Sequence, residues 1–361
     1  MGTMAGIYSP SSPVLGGQRV IRGALLGLAI LAIGGYAVVY KLQLRWEQPL
    51  TVLDAGHYLT VQSGARLKDV AHQLHEDEVL ADPYLLVAFG RWTGLDEKIK
   101  RGEYRIPSGT KPAELLLLLT QGTVIQYQVT LPEGITLADA LEILAQQEPL
   151  ENVMEGPEDA RIYSLSKPHE LAEGLFFPDS YHYEKGTSDW QILQRAHQRM
   201  QEVLASEWRQ KAADLPYETP YDALIMASIV ERETGVSAER TQIAGVFVRR
   251  LQKRMRLQTD PVVIYGLGHQ FDGNLRRTHL QDESNPYNTY RHSGLPPGPI
   301  SLPGRAAINA ALHPDDSQAL YFVARGDGSH AFSKTFAEHQ KAVKQYQLTR
   351  RKNYRSSPER K

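Results

Sequence analysis

The chain has 361 residues, with 40 Lys and Arg against 41 Asp and Glu, so no overall field favours nucleic acid as a partner. This length allows about two or three domains with sizeable cores. The absence of cysteine excludes disulfides and thiolate metal sites.

An uncharged run near the N-terminus predicts a membrane anchor. Residues 1–22 include a stretch rich in Ser, Pro and Gly and are expected to be a disordered tail. Residues 23–40 then run for 18 positions without a charge, which is enough for one short spanning helix. A cleaved signal peptide is the alternative, but no small-residue cleavage site follows the run. We therefore expect an uncleaved, single-pass anchor.

Three segments beyond the anchor share one pattern: a short alternating strand, a glycine turn and an amphipathic helix. They cover residues 58–74, 102–119 and 127–144. Their unequal spacing excludes a regular solenoid. Such units resemble LysM modules, which bind glycans that contain N-acetylglucosamine, and residues 48–125 are assigned to a LysM-like domain. A small packing domain without a ligand is the alternative.

A helix that carries a carboxylate near its end is predicted over residues 221–235. At about 100° per residue, Glu231 shares a face with Leu224 and Ser228, whereas Glu233 lies about 200° away and is expected to face water. Partial burial raises the pKa of a carboxyl group, and a general acid at neutral pH requires such a raised pKa. The alternative is an ordinary glutamate at the end of a charged helix.

Other segments of the second half predict scaffold. Residues 190–208 and 241–251 form amphipathic patterns, and residues 320–333 predict a hairpin with a Gly-Asp-Gly turn. Glu173, in the aromatic, proline-broken segment 172–183, is a rival carboxylate that we interpret as a turn or cap. A basic strip is expected to be a solvated face: Arg249, Arg250, Lys253, Arg254 and Arg256.

Three downstream loops are dense in amide, hydroxyl and aromatic side chains, which bind sugars by hydrogen bonds and ring stacking. They are RLQTDPVVIYGLG (256–268), NPYNTY (285–290) and GLPPGPISLPG (294–304). With SIVERET at 228–234, they closely resemble, in the same order, the motifs of the YceG-like family of endolytic murein transglycosylases. The resemblance extends from about residue 46 to residue 346.

The sequence patterns and this resemblance together predict an α+β protein with an N-terminal tail (1–22), which the resemblance places in the cytoplasm, a transmembrane helix (23–40) and a LysM-like domain (48–125). A larger mixed α/β catalytic domain (126–347) and a basic disordered tail (348–361) follow. The body is expected in the periplasm, held at the inner membrane.

The resemblance also implies site residues. Glu231 is expected to be the catalytic acid/base. Candidates for lining the glycan cleft are Gln258, Asp260, Tyr265, Asn288, Thr289 and Tyr290. Asp260, which precedes Pro261, is alternatively a turn residue.

The chemistry of a lytic transglycosylase requires only one such carboxylate. An ordinary glycosidase uses two, but here the C6 hydroxyl of muramic acid is an internal nucleophile. The implied substrate is the peptidoglycan glycan strand, and the implied products carry 1,6-anhydro-muramoyl ends. The implied role is to stop glycan elongation near peptidoglycan synthases.

No cofactor or metal is expected, because the sequence has no His-Glu-x-x-His motif and its histidines are irregularly spaced. Two alternatives stay open. One is a muramidase-type hydrolase, in which Asp260 or Glu173 would activate water. The other is a glycan-binding scaffold without catalysis.

Overall fold

The structure is a computed structural model that describes residues 15–122 and 124–348, with side chains from residue 25 onward. The chain divides into two compact units, Met1–Ile125 and Gln126–Lys361. Both contain helices and short strands, so the mixed helix and strand class expected from the sequence is confirmed.

The first element is a long helix, α1 (Leu15–Glu47). Within it, Leu25–Glu47 is long and apolar enough to cross a membrane. Residues 15–22, predicted to be disordered, are helical in this structure, because the helix continues backwards from the apolar run. The predicted tails at residues 1–14 and 349–361 lie outside the described residues.

The rest of the first unit is a small α/β arrangement. Its elements are β1 (His57–Val61), α2 (Leu67–Glu76), α3 (Pro83–Thr93), β2 (Gly102–Ile106) and α4 (Pro112–Gln121). Strands β1 and β2 pair antiparallel, with Leu59 opposite Tyr104, and both side chains are fully buried. Leu115, Leu116 and Leu119 of α4 complete this core.

The second unit contains more elements around a larger core. They are β3 (Tyr127–Thr130), α5 (Leu137–Ala145), β4 (Leu150–Glu151), α6 (Ala160–Ser166), β5 (Ser180–Tyr183), β6 (Thr187–Ser188), α7 (Asp189–Arg209), α8 (Pro220–Glu233), α9 (Arg240–Gln252), α10 (Asp260–Leu267), α11 (Arg277–Gln281), α12 (Arg305–Leu312), β7 (Tyr321–Ala324), β8 (His330–Ser333) and α13 (Phe336–Val343). Strand pairs β3–β5 and β7–β8 are antiparallel, and β4–β6 is parallel.

The three predicted strand–turn–helix segments are confirmed as β1–α2, β2–α4 and β3–α5. The turns contain Gly64, Gly109 and Gly134, with φ of 80°, 83° and 80°. Side chains rarely adopt this left-handed conformation, which explains glycine at each turn. The third segment lies in the second unit, and the likeness of the first unit to LysM modules stays a prediction.

Helix α8 is the central element of the second unit. Thr219 caps its start by accepting a hydrogen bond from Asp222 N, and Pro220 occupies the first turn, where no donor is needed. Residues 223–230 are all buried, so this stretch has no solvent face. Ser228 Oγ accepts from Ile300 N at 3.0 Å and thereby joins the helix to the 294–304 loop.

Candidate active site

A cleft of about 590 Å³ opens in the second unit at the C-terminal end of α8. Its walls come from α8, α9, the start of α10, the β7–β8 hairpin and α13. The polar groups along it belong to Arg232, Glu233, Arg250, Gln258, Thr259, Asp260, Tyr290, His330, His339 and Gln347. Tyr321, Phe322 and Phe336 supply aromatic surface. Polar groups beside aromatic rings suit a carbohydrate ligand.

Glu233, at the end of α8, carries one of the two carboxylates that line this cleft, together with Asp260. The residue is half-buried, and its Oε1 accepts a hydrogen bond from Thr259 Oγ1. Burial raises the pKa of Glu233 to about 7, with the Asp260 charge adding to the rise, while Thr259 and Arg250 act in the opposite direction. A carboxyl group with this pKa can both donate and accept a proton near neutral pH.

The prediction that Glu233 faces water is therefore wrong. Helical phase places Glu233 opposite Glu231, but the opposite side of a helix is a solvent face only where the helix lies at the surface. Helix α8 is surrounded by protein, and its far side opens into the cleft instead. The pairing with Thr259, 26 residues away, leaves no signal in local periodicity.

Glu231 is half-buried, like Glu233, and only 6% of its side chain is exposed, in agreement with its helical phase. Its Oε1 accepts from Arg240 Nη2 at 3.1 Å and its Oε2 accepts from Gly304 N at 3.0 Å. Arg240 Nη2 also lies 3.6 Å from Glu133 Oε2. Burial raises the pKa of Glu231, while Gly304 and Arg240 oppose that rise. Both oxygens thus have protein partners, and Glu231 is not among the described residues that line the cleft.

Three of the predicted glycan-binding residues lie together in the cleft: Gln258, Asp260 and Tyr290. Tyr290 Oη donates to Asp260 Oδ1 at 2.7 Å, which joins the start of α10 to the 285–290 loop. Gln258 has φ of 53°, a left-handed conformation that is uncommon for residues other than glycine. Such outliers concentrate at functional sites.

Asn288 and Thr289 do not line the cleft, contrary to expectation. Both are buried. Thr289 Oγ1 accepts from Thr259 N at 3.0 Å and donates to Thr259 O at 3.2 Å. Asn288 Nδ2 donates to the carbonyls of His279 and Asp282. Because their polar groups satisfy backbone atoms, the two residues hold the loop and Thr259 in place.

Tyr265 also lies elsewhere, in a second cluster around Glu173. Tyr265 Oη donates to Glu173 Oε2 at 3.2 Å, and Leu137 N donates to Glu173 Oε1 at 3.0 Å. Leu137 is the first residue of α5, so Glu173 caps that helix, which fits its interpretation as a cap. Burial raises the pKa of Glu173 to about 7.

The predicted solvated basic strip is wrong for Arg249 and Arg250. Arg250 is buried and donates from Nε to Leu320 O at 2.7 Å and from Nη1 to Leu257 O at 2.6 Å. Arg249 donates to Ala319 O at 2.8 Å. Both guanidinium groups satisfy carbonyls of neighbouring segments, and Arg250 places its charge beside the cleft. Lys253 and Arg254 are exposed, as expected.

Comparison with known families identifies this architecture. The profile of the YceG-like family matches residues 59–345. The chain belongs to the YceG-like family, as the sequence motifs predict.

Relatives and a solved structure agree with this assignment. An endolytic murein transglycosylase of Bacillus subtilis is 30% identical over 311 residues, covering 80% of this chain and 84% of that protein. One of Streptococcus pneumoniae is 25% identical over 335 residues, covering 83% of this chain and 60% of that protein. The crystal structure of a YceG-like protein from Listeria monocytogenes has a TM-score of 0.51 and 27% identity, covering 79% of this chain and 98% of that chain.

Proposed function

We propose that this protein is an endolytic peptidoglycan lytic transglycosylase whose acid/base is Glu231, at the C-terminal end of α8. The observation that carries the proposal is a half-buried carboxyl group whose pKa is raised by burial. The next residue, Arg232, already lines the cleft, which contains amide, hydroxyl and aromatic groups. Family membership and two relatives named endolytic murein transglycosylases support the substrate class.

In the proposed reaction, protonated Glu231 gives its proton to the glycosidic oxygen as the bond from C1 of muramic acid to that oxygen breaks. The C6 hydroxyl of the same sugar forms a new bond to C1, and the Glu231 carboxylate takes its proton. The products are a free hydroxyl on one fragment and a 1,6-anhydro-muramoyl end on the other. Glu231 returns to its starting state, so neither water nor a second carboxylate is needed.

We infer that Glu231, rather than Glu233, transfers the proton. Both residues are half-buried and burial raises the pKa of both, so neither property separates them. Glu231 is the residue to which the resemblance assigns this role, and Arg240 and the Gly304 amide hold its carboxylate in place. Glu233, which lines the cleft and accepts a hydrogen bond from Thr259, is the alternative acid/base.

Gln258, Asp260 and Tyr290 are proposed to contact the glycan, while Asn288 and Thr289 position the loop that carries Tyr290. Tyr265 is proposed to act indirectly, through Glu173. With helix α1 as a single-pass anchor in the inner membrane and the body in the periplasm, cleavage would fall on strands near the peptidoglycan synthases. Such cleavage would terminate glycan elongation.

The test is the chemical form of the sugar ends released by the purified full-length protein from isolated glycan strands, determined by mass spectrometry. Ends of 1,6-anhydro-muramic acid from internal cleavage are expected. Reducing muramic acid ends would make the protein a hydrolase. Strand binding without any new ends would make it a scaffold, and either outcome overturns the proposal.

A further inference from the structure

A buried histidine–glutamate pair forms part of the wall of the same cleft. His330, the first residue of β8, lines the cleft together with Glu233. Its Nδ1 lies 2.7 Å from Glu239 Oε2, and its backbone N donates to Glu239 Oε1 at 2.9 Å. Glu239 lies in the short turn between α8 and α9. One carboxylate therefore holds both the main chain and the ring of His330.

The contact with Glu239 fixes which nitrogen of the neutral ring carries the proton. An ionised carboxylate only accepts hydrogen bonds, so Nδ1 is the donor and Nε2 is left with a lone pair. No described residue hydrogen-bonds to His330 Nε2. The ring also meets Phe322 edge-on, with centroids 5.4 Å apart, which restricts its rotation.

A carboxylate that orients a histidine is a recurring device for presenting the second nitrogen to a substrate or a metal. A histidine that served only to tie the hairpin to Glu239 would not need to line the cleft. His330 does line it, beside Tyr321 and Phe322 and along the same walls as Glu233. The side chain is 6% exposed, so its remaining accessible surface is small and confined.

We propose that His330 is a substrate-contacting residue of this cleft, whose Nε2 accepts a hydrogen bond from a hydroxyl or acetamido N–H group of the glycan. Glu239 is the positioning residue that fixes the tautomer and the ring orientation. This inference rests on the proposed function of the cleft and adds to it a group that binds the sugar chain.

The experiment compares the wild type with His330→Asn in the full-length protein. The amide nitrogen of asparagine can replace Nδ1 and keep the bond to Glu239, but nothing replaces Nε2. We expect an unchanged unfolding midpoint and a fall of about five- to tenfold in kcat/KM for the release of anhydro ends, the loss typical of one hydrogen bond. Binding to glycan strands should weaken in parallel. A folded His330→Asn with wild-type kcat/KM and strand binding would overturn the proposal.

A second pair of variants decides the question if His330→Asn does not fold. His330→Gln and His330→Leu both lose the side-chain bond to Glu239, but only glutamine can place a polar atom near the position of Nε2. Higher kcat/KM for His330→Gln than for His330→Leu supports the contact, and equal values overturn it. If the wild type releases no anhydro ends, the proposed function itself fails, and this outcome is distinguishable from a defect confined to the variants.

Discussion

At the scale of single residues, two glutamates only two positions apart have different surroundings. Glu231 is held by a guanidinium group and a backbone amide, whereas Glu233 has one hydroxyl donor and borders the cleft. Burial raises the pKa of both, so the direction of the pKa shift alone does not separate them. What differs is the set of groups around each carboxylate, and only the fold brings those groups together.

The hydroxyl of Thr259 sets part of the acidity of Glu233. Its hydrogen bond favours the charged carboxylate and so lowers the pKa. Thr259→Val should therefore raise the pKa of Glu233. The measurement is the pH titration of the Glu233 side-chain carboxyl carbon by NMR. Thr289→Ser keeps the contact to the Thr259 backbone and serves as the control, and an unshifted profile for Thr259→Val would contradict this account.

Glu173 should make stability depend on pH. Burial raises its pKa from 4.5 to about 7, so the folded state holds this proton more tightly than the unfolded state. Its contribution is fully present below pH 4.5 and is lost as pH rises through about 7. The glutamine in Glu173→Gln does not titrate. The unfolding midpoint of this variant should therefore fall less between pH 5 and pH 8 than that of the wild type. Parallel curves for the two proteins would show that Glu173 does not titrate in this range.

At the scale of elements, local rules explain what the sequence could predict. Glycine turns, the Thr219 cap and Pro220 specify where strands end and helices begin, so the repeated strand–turn–helix segments and α8 were predictable. The partners of each element were not. Arg250 appears in a basic run, and only the fold brings the Leu320 carbonyl, 70 positions away, within its reach.

The candidate site, too, was predictable only in part. The motifs indicate which loops form the cleft, because residues 258–260 and 290 lie in those loops. Chemistry alone did not distinguish Tyr290, which lines the cleft, from its neighbours Asn288 and Thr289, which are buried. Tyr265 was assigned to the wrong cluster because the turns of α10 direct Asp260 and Tyr265 to different sites. His330 had no local signal, since its partner Glu239 is 91 positions away.

The packing of α10 on the 285–290 loop depends on Gly266. A Cβ at this position would lie 2.2 Å from Asn285 Oδ1 and 2.6 Å from Tyr287 Cβ. Gly266→Ala should therefore destabilise the protein by about 1–3 kcal/mol through overpacking. In an unobstructed helix the same change stabilises, by up to about 1 kcal/mol. The measurement is the thermal unfolding midpoint of Gly266→Ala. A midpoint above that of the wild type would contradict the close packing.

At the scale of the whole molecule, the apolar helix found within the described residues is compatible with a single-pass membrane anchor. If the anchor crosses the inner membrane once with its body in the periplasm, a reporter that is active only after export should be active when fused after residue 346. The unfused reporter with its own signal removed is the control for cytoplasmic background. Activity at that background level would contradict the proposed orientation.

The central claim is that Glu231 performs the proton transfer. The most direct measurement is the rate at which full-length Glu231→Gln and Glu233→Gln release anhydro ends, together with their unfolding midpoints. Glu231→Gln should fold and bind strands but lose at least ~10²-fold in rate, the contribution typical of general acid–base catalysis. Glu233→Gln should stay active, because its carboxyl group does not transfer the proton. An active Glu231→Gln beside a stable, inactive Glu233→Gln would contradict the account and move catalysis to Glu233.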